Sequence, residues 1–290
     1  MKAKRTGKIR VARSIDEVKR AVRRARSEGK TIGFVPTMGA LHAGHQSLIR
    51  RSAVRTGFTV VSIFVNPTQF GPKEDLASYP RPLARDLMLA REAGADLLFV
   101  PSVRTVYPEG FSTRVIVDGL SSTLCGASRP THFQGVTTVV TRLFNIVNPD
   151  LAFFGRKDAQ QAIIIQRMVH DLGMPVLVVL CPTVRERDGL AKSSRNVYLT
   201  KEQREQAPVL HRALLEARAQ IRKGERSAVR IKTRMQRVIC AKSEARIDYV
   251  EIVDADRLQP VRTLKDTCLL AVAVFFGRAR LIDNELVKVK

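Results

Sequence analysis

Two histidines three residues apart, His42 and His45, bracket Gly44 in the run Pro36-Thr-Met-Gly-Ala-Leu-His-Ala-Gly-His45. An apolar stretch precedes the run and a helical pattern follows it, so both imidazoles are expected at the first turn of a helix. Backbone N–H groups at that end lack partners within the helix, and the dipole favours anions. Imidazole donors aimed at the same point would hold a phosphate chain and stabilise negative charge as it develops at phosphorus. Gly39 and Gly44 let the backbone approach a nucleotide closely. The alternative is a pair of histidines that merely caps the helix. Neither GxxxxGK[ST] nor GxGxxG occurs in the turn, so it is neither a Walker A loop nor a dinucleotide fingerprint.

Three further groups stand in comparable places. Asn66-Pro-Thr-Gln-Phe-Gly71 follows a second apolar run, where an amide side chain can hold hydroxyls and a carboxylate at once; in isolation it reads as an ordinary turn. Phe154-Gly155-Arg156-Lys157-Asp158-Ala-Gln-Gln161 lies at another strand-to-helix junction. Lys157 is a mobile point charge suited to phosphates, and Asp158 is placed for a site or simply for a helix cap. In Pro182-Thr-Val184-Arg-Glu-Arg-Asp-Gly-Leu-Ala-Lys192-Ser193-Ser194-Arg195, two hydroxyls and a guanidinium offer donors to phosphate oxygens. A plain polar loop is the alternative there.

The elements that must position these residues are legible from periodicity. Ser14 and Glu17 have capping-box spacing, and Val18, Ala21, Val22 and Ala25 follow at helical period until Gly29. Residues 31–35 read as a strand stopped by Pro36, and 46–54 as a helix. Residues 58–65 are too apolar to alternate, as expected of a strand buried on both faces of a parallel sheet. Helices at 82–93, 135–147 and 158–172 then alternate with strands at 96–100, 151–154 and 176–180. Such βαβ units imply an α/β fold, a Rossmann-like doubly wound parallel sheet. Beyond about Asn196 two basic helices (201–222 and 226–242) precede strands at 246–253, 268–276 and 279–283, the last two forming an antiparallel hairpin around Gly277. This predicts a smaller C-terminal α+β domain, with the division at 1–185 and 186–290. All four groups lie at carboxyl ends of predicted strands or at the domain junction, so one cleft could collect them.

Composition bounds the rest. The chain has 290 residues, 44% of them apolar, enough for one large and one small domain. Its longest apolar run, 268–276, has strand length and is too short to cross a bilayer. The N-terminus is basic but lacks the apolar region of a secretory signal. Its arginine-rich, acid-poor character would suit a transit peptide, but it runs directly into a capped helix. Cys125, Cys181, Cys240 and Cys268 are too far apart for a metal knuckle or a CxxC pair, and read as reduced thiols of a cytoplasmic protein. Lys and Arg number 50 against 27 Asp and Glu, a net charge of +23. That surplus favours anionic partners: nucleotides, nucleic acid or acidic membrane surfaces. It is densest at 1–30 and 201–242, where a solvated surface is the plain explanation.

In this order the motifs resemble the pantothenate synthetase (pantoate–β-alanine ligase) family of the HIGH-motif nucleotidylyltransferase superfamily. The likeness runs from about residue 14 to 284 and also takes in Tyr79-Pro-Arg81, Arg129-Pro-Thr-His-Phe-Gln-Gly-Val136 and Ser193-Ser-Arg-Asn196. It implies an ATP-binding turn at Met38, Gly39, Ala40, Leu41, His42, Ala43, Gly44 and His45, with His45 as proton donor and His42 its catalytic neighbour. Gln69 and Gln161 match the pantoate-binding glutamines, and β-alanine is expected beside Gln69. Gly155, Arg156, Lys157, Asp158, Val184, Lys192, Ser193, Ser194 and Arg195 match the remaining ATP contacts. The implied reaction has two steps. Pantoate's carboxylate attacks the α-phosphorus of Mg-ATP and releases pyrophosphate, then the amine of β-alanine attacks the pantoyl-adenylate to give pantothenate and AMP. The likeness also implies a homodimer and a C-terminal domain closing over the active site. Asp86 is the candidate magnesium (Mg2+) ligand.

The reaction suits the residues, because making a carboxylate into an acylating agent needs donors and positioning rather than a covalent nucleophile. The chain departs from the family at Ala43, where glutamate is usual, at Lys192, where methionine is usual, and in its net charge. Two other readings stand beside the ligase. One is a related transferase joining a nucleotide to a phosphorylated substrate, which would call for arginines where Gln69 and Gln161 stand. The other is a nucleic-acid-binding protein on a retired scaffold, which predicts salt-steep binding and no pyrophosphate release.

Overall fold

The computed structural model describes residues 9–72 and 74–289. The basic stretch at 1–8 that bears on targeting lies outside the described residues. The chain forms two compact units. The first comprises Met1–Val117, Arg129–Arg156 and Gln161–Pro182, and the second Asp118–Ser128, Lys157–Gln160 and Thr183–Lys290.

The elements follow in the order β1 (Arg10–Ala12), α1 (Ile15–Ser27), β2 (Ile32–Thr37), α2 (Ala43–Arg55), β3 (Phe58–Ile63), α3 (Leu83–Ala93), β4 (Leu97–Phe99) and α4 (Val103–Val106). Next come the single turn α5 (Cys125–Ser128), α6 (His132–Val147), β5 (Leu151–Gly155), α7 (Ala159–Asp171) and β6 (Leu177–Cys181). The last are α8 (Lys201–Gln206), α9 (Val209–Arg222), α10 (Ala228–Cys240), β7 (Ala245–Asp254), β8 (Thr267–Phe276) and β9 (Ala279–Lys288).

In the first unit all six strands run parallel in the order β1-β4-β3-β2-β5-β6. The doubly wound sheet expected from the βαβ rhythm is therefore present. Phe34, Val35, Val61, Leu98 and Phe153 are fully buried in its strands. The capping box of α1 forms as its spacing predicts: Ser14 accepts from the Glu17 amide, and Glu17 reaches back to the Ser14 amide at 3.0 Å. From β2 the chain passes outward to β3, whereas β5 and β6 lie on its other side. The winding direction therefore reverses between β2 and β5, and ligands bind such sheets just beyond the strand ends at that point.

Two expectations need correcting. Pro36 does not stop β2; it lies inside it, opposite Ser62 of β3. Ile32 and Thr37 show why: the Ile32 carbonyl faces the β5 side and the Thr37 carbonyl the β3 side. By alternation, the N–H that Pro36 lacks would face β5, past the end of a ladder that pairs only Gly33 and Phe34. The basic helix expected at 201–222 is two helices, α8 and α9, broken at Ala207-Pro208 because proline cannot extend the preceding helix. A third element, β1, was not expected. It has three residues, two of them exposed, and owes its form to pairing with β4.

In the second unit β7, β8 and β9 form an antiparallel sheet, with β8 and β9 joined at Gly277 (φ +54°) and Arg278. β9 extends to Lys288, past the expected end at 283. Leu214, Ile231 and Met235 of α9 and α10 share a core with Leu270, Val272 and Val274 of β8. Part of the basic surface is neutralised there: Arg218 pairs with Glu285, Lys232 with Glu251 and Arg234 with Glu216. All four cysteines are free thiols, three of them buried. Among the described residues no helix is long and apolar enough to cross a membrane.

Candidate active site

The turn after β2 is held by side chains from neighbouring elements. Thr37 donates to the Ser62 carbonyl at 2.6 Å and accepts the Gly39 amide at 3.1 Å. Gly39 and Ala40 both adopt left-handed backbone, with φ of +84° and +48°, which strains a residue bearing a side chain. Asp86 of α3, only 1% exposed, secures the turn. Its Oδ2 accepts the Ala40 amide at 2.9 Å and its Oδ1 the Leu41 amide at 2.7 Å. A Cβ on Gly39 would come within 3.0 Å of that same Oδ2, so glycine is required for space as well as for φ. Burial pushes the Asp86 carboxyl above its ordinary range, against the pull of the two amide bonds. Both oxygens are thus engaged by the backbone, and the candidate magnesium ligand has the geometry of a brace.

The two histidines stand where the spacing predicts. His42 is the N-cap of α2 and His45 its third residue. Both cap the helix: the Gly44 amide donates to His42 Nδ1 at 3.1 Å, and the His42 amide to His45 Nδ1 at 3.4 Å. The rings stack obliquely with centroids 4.1 Å apart. An Nδ1 that accepts a backbone N–H cannot carry a proton, so each neutral ring holds its proton on Nε2. The capping and phosphate-binding readings are therefore compatible, because they use different ring nitrogens.

A short 3-10 turn, Pro67–Gln69, follows β3. Asn66 organises it. Its Oδ1 accepts from the Thr68 hydroxyl at 2.9 Å and from Tyr107 at 2.8 Å, while its Nδ2 donates to Gln69 Oε1 and to the Gly135 carbonyl, both at 3.1 Å. Every hydrogen-bonding site of the Asn66 side chain is spent on the fold. Gln69, 8% exposed, is left with its amide N–H pointed at Met38 Sδ, 2.9 Å away. A thioether is a weak acceptor, so this donor is already aimed beside the nucleotide turn. A Cβ on Gly135 would lie 2.4 Å from the Thr68 carbonyl; glycine there admits the turn against α6.

Arg129 and His132, both within the motif at 129–136, hold the other side of Gln69. Arg129 Nη2 donates to the Gln69 carbonyl at 3.2 Å, its Nε to Glu74 at 2.6 Å, and His132 Nδ1 lies 2.8 Å from the same carbonyl. Burial pushes the Glu74 carboxyl up, but the hydrogen bond and charge of Arg129 outweigh it, and the net shift is down. The local signal is an arginine and a histidine three apart at the start of a helix, the same spacing as His42 and His45.

Gly155 ends β5 opposite Cys181, Arg156 after it is exposed, and Gln161 is half-buried on the first turn of α7. These three belong to the first unit. In the second unit the Lys157 ammonium lies 3.3 Å from Asp158, and the Lys157 carbonyl accepts from Asn284 at 2.7 Å. Lys157 and Ser193 line one small cavity with Asn196 and Asp283. Val184 accepts the Lys192 amide at 2.9 Å, closing a hairpin in which Lys192 pairs with Glu186 at 2.6 Å. Ser193 caps the 3-10 turn Ser194–Tyr198 by accepting the Arg195 amide at 3.3 Å. Among the described residues no three His, Cys, Asp or Glu side chains gather to hold a metal ion.

Known proteins bear on this site. The model of the pantoate-beta-alanine ligase family matches residues 10–286. A pantothenate synthetase of Heliobacterium modesticaldum is 56% identical over 281 residues, covering 97% of this chain and 100% of that one. The crystal structure of pantothenate synthetase from Thermus thermophilus superposes with a TM-score of 0.91 at 50% identity, over 96% of this chain and 99% of that one. A pantoate-beta-alanine ligase from Francisella tularensis, complexed with beta-gamma ATP and beta-alanine, is 33% identical with a TM-score of 0.77, over 96% and 98% of the two chains.

Proposed function

The chain belongs to the pantoate-beta-alanine ligase family, and from that footing we infer that it condenses pantoate with β-alanine at the expense of ATP. The product is pantothenate, formed through a pantoyl-adenylate, with AMP and pyrophosphate released. The observation that carries this reading is the contact between Met38 and Gln69, which sets an amide donor for a small acid beside the helix terminus of His42 and His45.

The roles follow from the donors. Nε2–H of His42 and of His45 donate to phosphate oxygens at the N-terminus of α2, whose dipole favours the same charge. A carboxylate oxygen of pantoate attacks the α-phosphorus, the bond to pyrophosphate breaks, and His45 supplies a proton or hydrogen bond to the departing oxygen. The Gln69 amide exchanges the weak thioether acceptor for an oxygen of pantoate, with Gln161 as the second pantoate donor. The amine of β-alanine then attacks the acyl carbon, and AMP leaves with the adenylate oxygen. Lys157, Lys192, Ser193, Ser194 and Arg195 are proposed phosphate ligands, and Gly155, Arg156, Asp158 and Val184 nucleotide contacts.

Magnesium is expected to enter with the triphosphate. The described residues form no cage for it, so its ligands on this reading are mainly phosphate oxygens and water. We assign nucleotide and pantoate binding chiefly to residues 1–185, and the smaller domain to 186–290. A homodimer in the cytoplasm completes the reading; a monomer by light scattering at micromolar concentration would remove the dimer. The decisive assay couples AMP release to a signal and leaves out ATP, pantoate and β-alanine in turn. AMP formed equally well without pantoate would overturn the function.

A further inference from the structure

We propose that His132 is a positioning residue for Gln69, acting as a neutral imidazole with its proton on Nδ1. Arg129 Nη1 lies 3.1 Å from His132 Nε2. A guanidinium only donates, so Nε2 must accept, and the proton of the neutral ring must sit on Nδ1. That proton points at the Gln69 carbonyl, 2.8 Å away, which also receives Arg129 Nη2 at 3.2 Å. The tautomer is opposite to that of His42 and His45, and it is set by a different neighbour.

The arrangement divides the control of Gln69. Asn66 fixes its side chain through Oε1, whereas His132 and Arg129 fix its main chain through the carbonyl. Glu74 holds the guanidinium by its Nε, so the fork cannot swing away from the carbonyl. Both ring nitrogens of His132 are used in these two contacts, one donating and one accepting. A side chain that only donates keeps the first contact; a side chain that does neither loses both and leaves the Gln69 carbonyl held by Arg129 alone. The displaced amide would then meet pantoate poorly, while the nucleotide turn would be unaffected.

This inference rests on Gln69 being the pantoate-binding glutamine, and the test separates the two claims. Steady-state constants are measured for His132→Leu, His132→Asn and Gln69→Ala, with melting temperature and the KM for ATP as controls on the fold. Asparagine places an N–H near the position of Nδ1 and can restore the donor. Loss of one well-placed hydrogen bond predicts about a tenfold rise in the KM for pantoate in His132→Leu, with the KM for ATP within about twofold of wild type. His132→Asn should return the KM for pantoate to within about threefold of wild type. A wild-type KM for pantoate in His132→Leu, beside a raised one in Gln69→Ala, overturns the positioning role and leaves the substrate assignment standing. So does a loss in His132→Leu that affects both substrates alike and is not rescued by asparagine. An unchanged KM for pantoate in Gln69→Ala removes the substrate assignment, and the positioning role with it.

Discussion

Asp86 spans Ala40 and Leu41, giving one carboxylate oxygen to each backbone amide at 2.9 and 2.7 Å. The brace opposes the cost of a left-handed Ala40 and thereby sets the entry of the chain into α2. Asp86→Asn puts an NH2 group against one of those donors. Unfolding in urea should show a loss of about 2 kcal/mol, accompanied by a raised KM for ATP. An unchanged denaturation midpoint would show that the turn holds itself.

For His45 the capping and chemical roles can be separated by substitution. In His45→Asn the side-chain oxygen can still accept the His42 amide, but nothing replaces Nε2–H. Turnover should fall by about a hundredfold or more while the melting temperature stays near wild type. A variant with near-normal turnover would exclude His45 from the chemistry.

These two residues also mark how far the sequence could be read. His42 and His45 are neighbours along one helix turn, so spacing alone places them. Asp86 lies in α3, far along the chain from Ala40, and only the packing of α3 shows what its oxygens meet; an isolated acid reads as a metal ligand. The same contrast holds for the strands. β3 is a β-branched, mostly apolar run and declares itself, whereas β1 is short, largely exposed and formed by pairing with β4. Pro36 misled for a related reason: whether a missing N–H matters depends on which neighbour it faces. The motif marks Gln69, but only Glu74 among its supports is near it in the chain; Arg129 and His132 come from a distant segment.

Gly135→Ala tests the close approach of α6 to the 3-10 turn. A methyl group there would lie 2.4 Å from the Thr68 carbonyl, so the turn must shift. The expected cost is about 2 kcal/mol in stability, with the KM for pantoate rising more than the KM for ATP. Equal stability and kinetics would mean that the helix and the turn part freely.

Glu74 gives a pH signature. Its folded pKa is lowered, so its link to Arg129 stabilises the protein above the unfolded glutamate value and is lost as pH falls through the lower folded value. Wild type should exceed Glu74→Gln by about 1 kcal/mol at pH 7, in keeping with a half-buried pair. The difference should fade below about pH 4, near and below the ordinary glutamate value. A gap that is constant from pH 7 to pH 3 would rule out the ion pair as its source.

The parallel order of the first sheet carries a consequence for biosynthesis. β2 gains β3 soon after it is made, but its other neighbour, β5, begins only at Leu151. Asp86 also emerges after the histidines it helps to set, and Arg129 and Gly135 after the Gln69 turn they hold. During synthesis from the N-terminus, the His42–His45 segment therefore leaves the ribosome long before the surroundings that align it exist. Pairing across such separations is slow to close. A nascent chain halted before residue 150 should bind nucleotide poorly, and competence should arrive only after the β2–β5 seam has closed.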